Sequence, residues 1–302
     1  MNDNLNPRVD RRHRGSHSTA CKCPAPFYQR PSQHKSLSGE HGRVMRNLMW
    51  KDKTTGRVML RRRVSTDPLF VFLREACGRR RAFRPERAAL LDMLYVLMID
   101  KVDLATFIVT LNVSALSGAL SPRDSAGKII PERRVTASRV SRLLFMLARF
   151  GIIELPQTEW DRTEGCRFPK HVILTETAWR LGGASMDKLR AEQQLRIDAT
   201  ADGILEPGEV VSVKTLRKRW YETCRHRTIL CRRTRAMEGR QRRQLKKLPF
   251  DERKQQVAEQ LFRSLRGSRH TLTPRQFEKM VWQQLYQLEL VNLDPPGRPQ
   301  PH

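Results

Sequence analysis

Between residues 134 and 153 the chain reads RVTASRVSRLLFMLARFGII. Its apolar positions Val140, Leu143, Leu144, Leu147 and Phe150 have the i, i+3, i+4, i+7, i+10 spacing of one helical stripe. Ser138, Ser141, Arg142, Phe145 and Arg149 fall opposite, and no acid is among them. Thr136 suits the N-cap and Gly151 the stop. Upstream, Asp67 and Pro68 open a short helix over 68–77, and Pro85 opens another running to residue 100. Leu90, Leu91, Leu94, Leu97 and Met98 form its apolar stripe. Residues 105–120 read as a short strand and a small helix, and 121–134 as a loop broken by Pro, Gly and Asp. After Gly151, IIELPQTEW reads as a strand, DRTEG as a turn and CRFPKHVILTE as the returning strand. The two-residue strand period puts Val172 and Leu174 on one side and His171 and Ile173 on the other.

Helix, short strand, helix, loop, helix, strand, turn, strand is the order of a winged helix-turn-helix domain, assigned to residues 67–183. The expected fold class is mainly α with a small β-hairpin wing, followed by a basic helical C-terminal region. In such a domain the third helix packs one face on the first two and leaves the other free to enter a major groove. Candidate contacts on that helix are Ser138, Arg139, Ser141, Arg142 and Arg149, with Arg162, Arg167 and Lys170 on the wing. A guanidinium can donate a fork to guanine O6 and N7 or bind a phosphate. Phe145 is expected to pack against a neighbouring element.

Residues 184–213, which contain ATADGILEPGE, read as a linker. From Arg217 to Lys247 thirteen Lys and Arg face two acids, Glu222 and Glu238, without a proline, so a long basic helix is expected. Its candidate phosphate contacts are Arg217, Lys218, Arg219, Arg225, Arg227, Arg232, Arg233 and Arg235. Trp220 and Tyr221 are expected to anchor a core. Two further helices follow, over 251–268 and 273–292, the second opened by a Thr273/Gln276 capping box. Residues 293–302 form a loose tail. Residues 1–66 hold fifteen Lys and Arg against four acids and few apolar positions, too little to offset ordering entropy, so a mostly disordered basic arm is expected.

Composition sharpens the choice of partner. Lys and Arg number 58 against 31 acids, a net charge of +27 and a pI near 11.0. That excess is the footprint of a polyanion binder. No apolar run approaches the roughly 18 residues of a membrane span, and the first residues lack a secretory signal's apolar stretch. Six scattered cysteines fit a reduced compartment, and the expected location is the cytoplasm. Signs of catalysis are few. SAGKII has Ile after the Lys where a P-loop needs Ser or Thr, and Pro122 stands where its earlier Gly belongs. No two of the eight histidines are spaced as the metal pair of a rolling-circle initiator. His13, His17, Cys21 and Cys23 could supply four zinc ligands, but Cys-x-Cys is tighter than the usual spacing. No enzymatic activity, cofactor or metal is expected.

The stretch 135–176 resembles the replication initiator (RepA) family of IncFII-type bacterial plasmids. SRLLFMLARFGII is similar to the family's TRAxxFLxxLGLI helix, QTEWD to its QTEYD, and GCRFP to its GCYIP. GRRR (78–81), set before a Pro-started helix, is similar too. The resemblance covers roughly two-thirds of the chain, and residues 1–66 lie outside it. It implies a protein that binds double-stranded plasmid origin DNA, helps to open it, and brings in the host initiator DnaA and the replicative helicase. A winged-helix transcription regulator and an RNA-binding protein are the competing readings. The first would carry a ligand or dimerisation domain; the second would prefer structured RNA over duplex DNA.

Overall fold

A computed structural model describes residues 21–288 apart from 32, 55, 57, 157–159, 164, 169–170, 205–210 and 266–272. The chain divides into two compact units, Met1–Trp220 and Tyr221–His302. It is mainly helical, with three small sheets among the described residues.

The first unit opens with α1 (Gly39–Leu48) and the antiparallel pair β1 (Met49–Lys51) and β2 (Val58–Leu60), in which Trp50 faces Met59. Next come α2 (Pro68–Ala76) and α3 (Pro85–Asp100), each started by a proline at its first position. Asp67 caps α2 by accepting from Leu69 N at 3.0 Å. Then follow β3 (Ile108–Val109), α4 (Val113–Ala119) and α5 (Ala137–Arg149). The strands β4 (Ile153–Glu154), β5 (Trp160–Asp161), β6 (Cys166–Arg167) and β7 (Val172–Leu174) make the expected hairpin. α6 (Glu176–Leu181) and α7 (Met186–Ile204) complete the unit together with the start of α8 (Val213–Leu245).

The sheet order β3-β7-β4 places the returning hairpin strand in the middle, bonded on both edges. All three residues of β7 are buried, so both sides of the strand, Val172 and Leu174 on one and Ile173 on the other, are covered. A central strand covered on both faces shows no alternation of burial. The same holds for α3, where every residue from Leu90 to Asp100 is buried rather than one stripe.

Two stretches that the sequence reading leaves without elements are in fact built. Residues 1–66 contain α1 and the β1–β2 pair, and residues 184–213 contain α7. The reason is tertiary. Ser38 provides no side-chain cap for α1; Glu192 of α7 does, accepting from Glu40 N at 2.9 Å and His41 N at 3.2 Å. Val44 and Leu48 of α1 and Leu189 and Ile197 of α7 are buried. His41 donates from Nε2 to Ile99 O at 2.6 Å, and its ring meets Trp179 edge-on. The Gly182 backbone lies so close that an added Cβ would stand 2.6 Å from Val44 Cγ1.

The segment before α1 is tied to the end of α3. The fully buried Asp100 carboxylate accepts from Tyr28 Oη at 2.5 Å, pairs with Lys101 Nζ at 2.9 Å, and pairs with Arg30. Burial raises its pKa, but these three hydrogen-bond donors outweigh burial and hold it below the usual carboxylate range. Asp100→Asn should therefore cost about 3 kcal/mol of the stability of this unit at neutral pH, toward the low end for a broken buried pair. The contribution is complete above about pH 3.9, the unfolded value, and is lost as pH falls through the lower folded value. Thermal unfolding of both proteins from pH 7 down to pH 3 checks this: the gap in Tm should close toward the acid end. A constant gap would show that shape, not charge, holds the segment.

The second unit consists of the rest of α8, α9 (Phe250–Ser264) and α10 (Pro274–Gln287). Leu245, Val257, Val281, Leu285 and Leu288 form its core, with Phe277 and Trp282 packed against it. The capping box of α10 is present: Thr273 Oγ1 accepts from Gln276 N, and Gln276 Oε1 accepts from Thr273 N. Buried Arg253 donates to Leu248 O at 2.8 Å and holds the α8–α9 corner.

Candidate nucleic-acid interface

α5 forms where its caps and stripe predict. Thr136 Oγ1 accepts from Arg139 N at 3.4 Å. At the other end Gly151 takes φ 69°, and Ile152 N reaches back to Leu147 O at 3.0 Å. This six-to-one bond is the Schellman closure, which requires a left-handed residue at Gly151. Val140, Leu143, Leu144 and Leu147 are buried, and the helix packs against α4 and α3. Ser138, Arg142 and Arg149 are exposed and Ser141 is half-buried. Phe145 is 48% exposed, so the packing expected of it does not cover the ring. Arg139 differs from the rest of the candidate set. Its guanidinium is half-buried and donates to Cys23 O at 3.1 Å, which turns it toward the N-terminal segment.

The α2–α3 corner joins this face. Gly78 at φ 81° closes α2, with Arg79 N donating to Arg74 O at 3.1 Å. Buried Arg74 donates to Arg80 O and so fixes the loop. Cys77 Sγ donates to Arg149 O at 3.1 Å, and Arg87 of α3 donates to Met146 Sδ at 3.2 Å. The GRRR run is thereby brought to the C-terminal half of α5. Arg79 and Arg87 join the basic surface, although the sequence reading does not single them out. The GRRR likeness was the available signal; which arginines converge depends on the turn.

The hairpin is two short ladders rather than two continuous strands. β4 pairs with β7 and β5 with β6, with Trp160 facing Arg167. Pro156 lies between β4 and β5, and proline cannot donate a ladder bond. Arg162 is exposed at the turn and Trp160 beside it is 58% exposed. Arg167 is placed by its backbone only, and Lys170 lies outside the described residues. At the hairpin base the His171 ring stands edge-on to Trp220, 4.4 Å between centroids, and burial pushes its pKa down to about 4. The imidazole is thus neutral at physiological pH.

The basic helix α8 has two characters. Its start is structural: Leu216 is buried with Ala105 and Ile197, and Arg217 Nε donates to Thr106 O at 2.8 Å. Arg217 and Arg219 are half-buried, while Lys218, Arg225, Arg227, Arg232, Arg233 and Arg235 are exposed. Arg217 therefore differs from the solvent-facing phosphate contact the charge run predicts. As for the zinc ligands, His13 and His17 lie outside the described residues, and Cys21 Sγ donates to Cys23 O at 3.1 Å. No helix among the described residues is long and apolar enough to cross a membrane.

The chain belongs to the IncFII RepA protein family, whose model matches residues 16–292. Three Escherichia coli relatives, each named a replication initiation protein, are 37%, 37% and 36% identical to it over 295 residues. The shared region is 95% of this chain and 87%, 86% and 86% of theirs. No solved structure matches the chain.

Proposed function

We propose that this protein initiates replication of its plasmid by binding the origin duplex sequence-specifically, with no chemistry of its own. In this reading residues 67–183 are a winged helix-turn-helix domain: α5 enters the major groove and the β5–β6 turn lies beside it. The observation that carries it is the division of α5 into a buried aliphatic face and an exposed, acid-free face of Ser138, Arg142, Phe145 and Arg149. The exposed cations of α8 follow phosphates and supply affinity without sequence preference. Recruitment of DnaA and the replicative helicase belongs to the same proposal and rests on family membership. The test is genetic: a plasmid carrying the origin but lacking this gene should fail to replicate and should recover when the protein is supplied in trans. Replication without the protein would overturn the reading and favour a transcription regulator.

A further inference from the structure

Arg79 and Arg87 flank one aromatic ring. Their guanidinium carbons lie 4.6 and 5.4 Å from the Phe83 centroid. Stacking on a ring fixes a guanidinium plane without using its N–H groups, which stay available to an acceptor. Arg79 Nε is buried and has no hydrogen-bond partner among the described residues. Burial lowers the pKa of Arg87, and the positive charges of Arg79 and Arg142 lower it further. Among the described residues no carboxylate pairs with Arg79, Arg87 or Arg142. The two like charges beside one ring, with Arg142 near enough to act on Arg87, repel each other, and the Gly78 turn, the Arg74–Arg80 bond and the Arg87–Met146 contact hold Arg79 and Arg87 there. A bridging anion would relieve that repulsion.

We infer that Arg79 and Arg87, bordered by Arg142, form a phosphate clamp that grips the duplex backbone beside the groove occupied by α5. The inference rests on the proposed DNA reading and adds to it a site outside the recognition helix. Planar forks bind phosphate oxygens bidentately, and a clamp anchored to both α3 and the α2–α3 corner sets the angle at which α5 is presented.

The experiment measures binding of the full chain to an origin duplex and to an unrelated duplex over a range of salt. The proteins are the wild type, Arg79→Gln/Arg87→Gln and Arg79→Gln alone. In the double variant the slope of log affinity against log salt should drop by about 1.8, and affinity for both duplexes should fall about tenfold at 0.1 M salt. The preference for the origin should be unchanged. Arg79→Gln leaves the Arg87–Met146 contact in place and should lose about 0.9 of slope. It keeps the test decisive if the double variant has a lowered Tm. An unchanged slope in a folded variant overturns the clamp and leaves the origin reading standing. A reduced slope in a protein with no origin preference supports the clamp and overturns the origin reading. Thermal unfolding with inorganic phosphate alone separates the sources. Stabilisation of the wild type only, with no change of slope on DNA, would overturn the duplex assignment in favour of free phosphate.

Discussion

Affinity for duplex DNA should fall by about 10³- to 10⁵-fold between about 50 and 200 mM salt, given roughly six to ten phosphate contacts. In the proposed reading most of them come from the cations of α8 that are exposed, Lys218, Arg225, Arg227, Arg232, Arg233 and Arg235. Arg217 is set apart from them: it is half-buried and its Nε–H is donated to Thr106 O. Changing Arg232, Arg233 and Arg235 together to Ala should remove about 2.7 from the salt slope, and should weaken origin and unrelated DNA alike. These residues lie in the middle of a helix and Ala is the strongest helix former, so the substitution leaves α8 intact. Filter binding or fluorescence anisotropy over a salt series measures the slope directly. A slope equal to that of the wild type would remove phosphate tracking from this helix and assign its charge to solvent or to an acidic partner.

Arg142→Ala should show the opposite signature. Arg142 lies one turn beyond Ser138 on the exposed face of α5, and no carboxylate pairs with it among the described residues. A guanidinium reading guanine O6 and N7 contributes about 1–3 kcal/mol of discrimination, so origin affinity should drop by about 5- to 150-fold. Binding to unrelated duplex should scarcely change. Arg149→Ala tests the other end of the same face. Its backbone carbonyl accepts from Cys77, but its side chain is exposed, so the substitution leaves the loop contact in place. Competition between origin and unrelated duplex gives both numbers in one titration. Equal loss on the two DNAs would make Arg142 a phosphate contact and remove its part in sequence reading.

The helix α5 was legible in the sequence because its determinants are local. Thr136, the stripe from Val140 to Leu147 and Gly151 lie within sixteen residues of one another and agree. The capping box of α10 and the proline starts of α2 and α3 were legible for the same reason. What stayed hidden depends on distant partners. α1 has a weak N-terminus of its own and is capped by Glu192, over 150 residues away in sequence. α7 carries few apolar positions, and those that matter, Leu189 and Ile197, gain their meaning only from what they meet. Arg139 looked equivalent to Arg142 on charge alone; its bond to Cys23 O separates them. The convergence of Arg79, Arg87 and Arg142 needs the turn at Gly78 and the packing of α3 on α5, which no spacing rule supplies.

Footprinting shows whether the exposed face of α5 reads the origin. The purified protein and Arg142→Ala would be compared on a plasmid origin fragment at a low and a high salt concentration. Protection should be confined to a defined sequence, persist in part at high salt with the wild type and be lost with Arg142→Ala. Diffuse protection that vanishes with salt equally in both proteins would contradict that reading and leave only a basic polyanion binder.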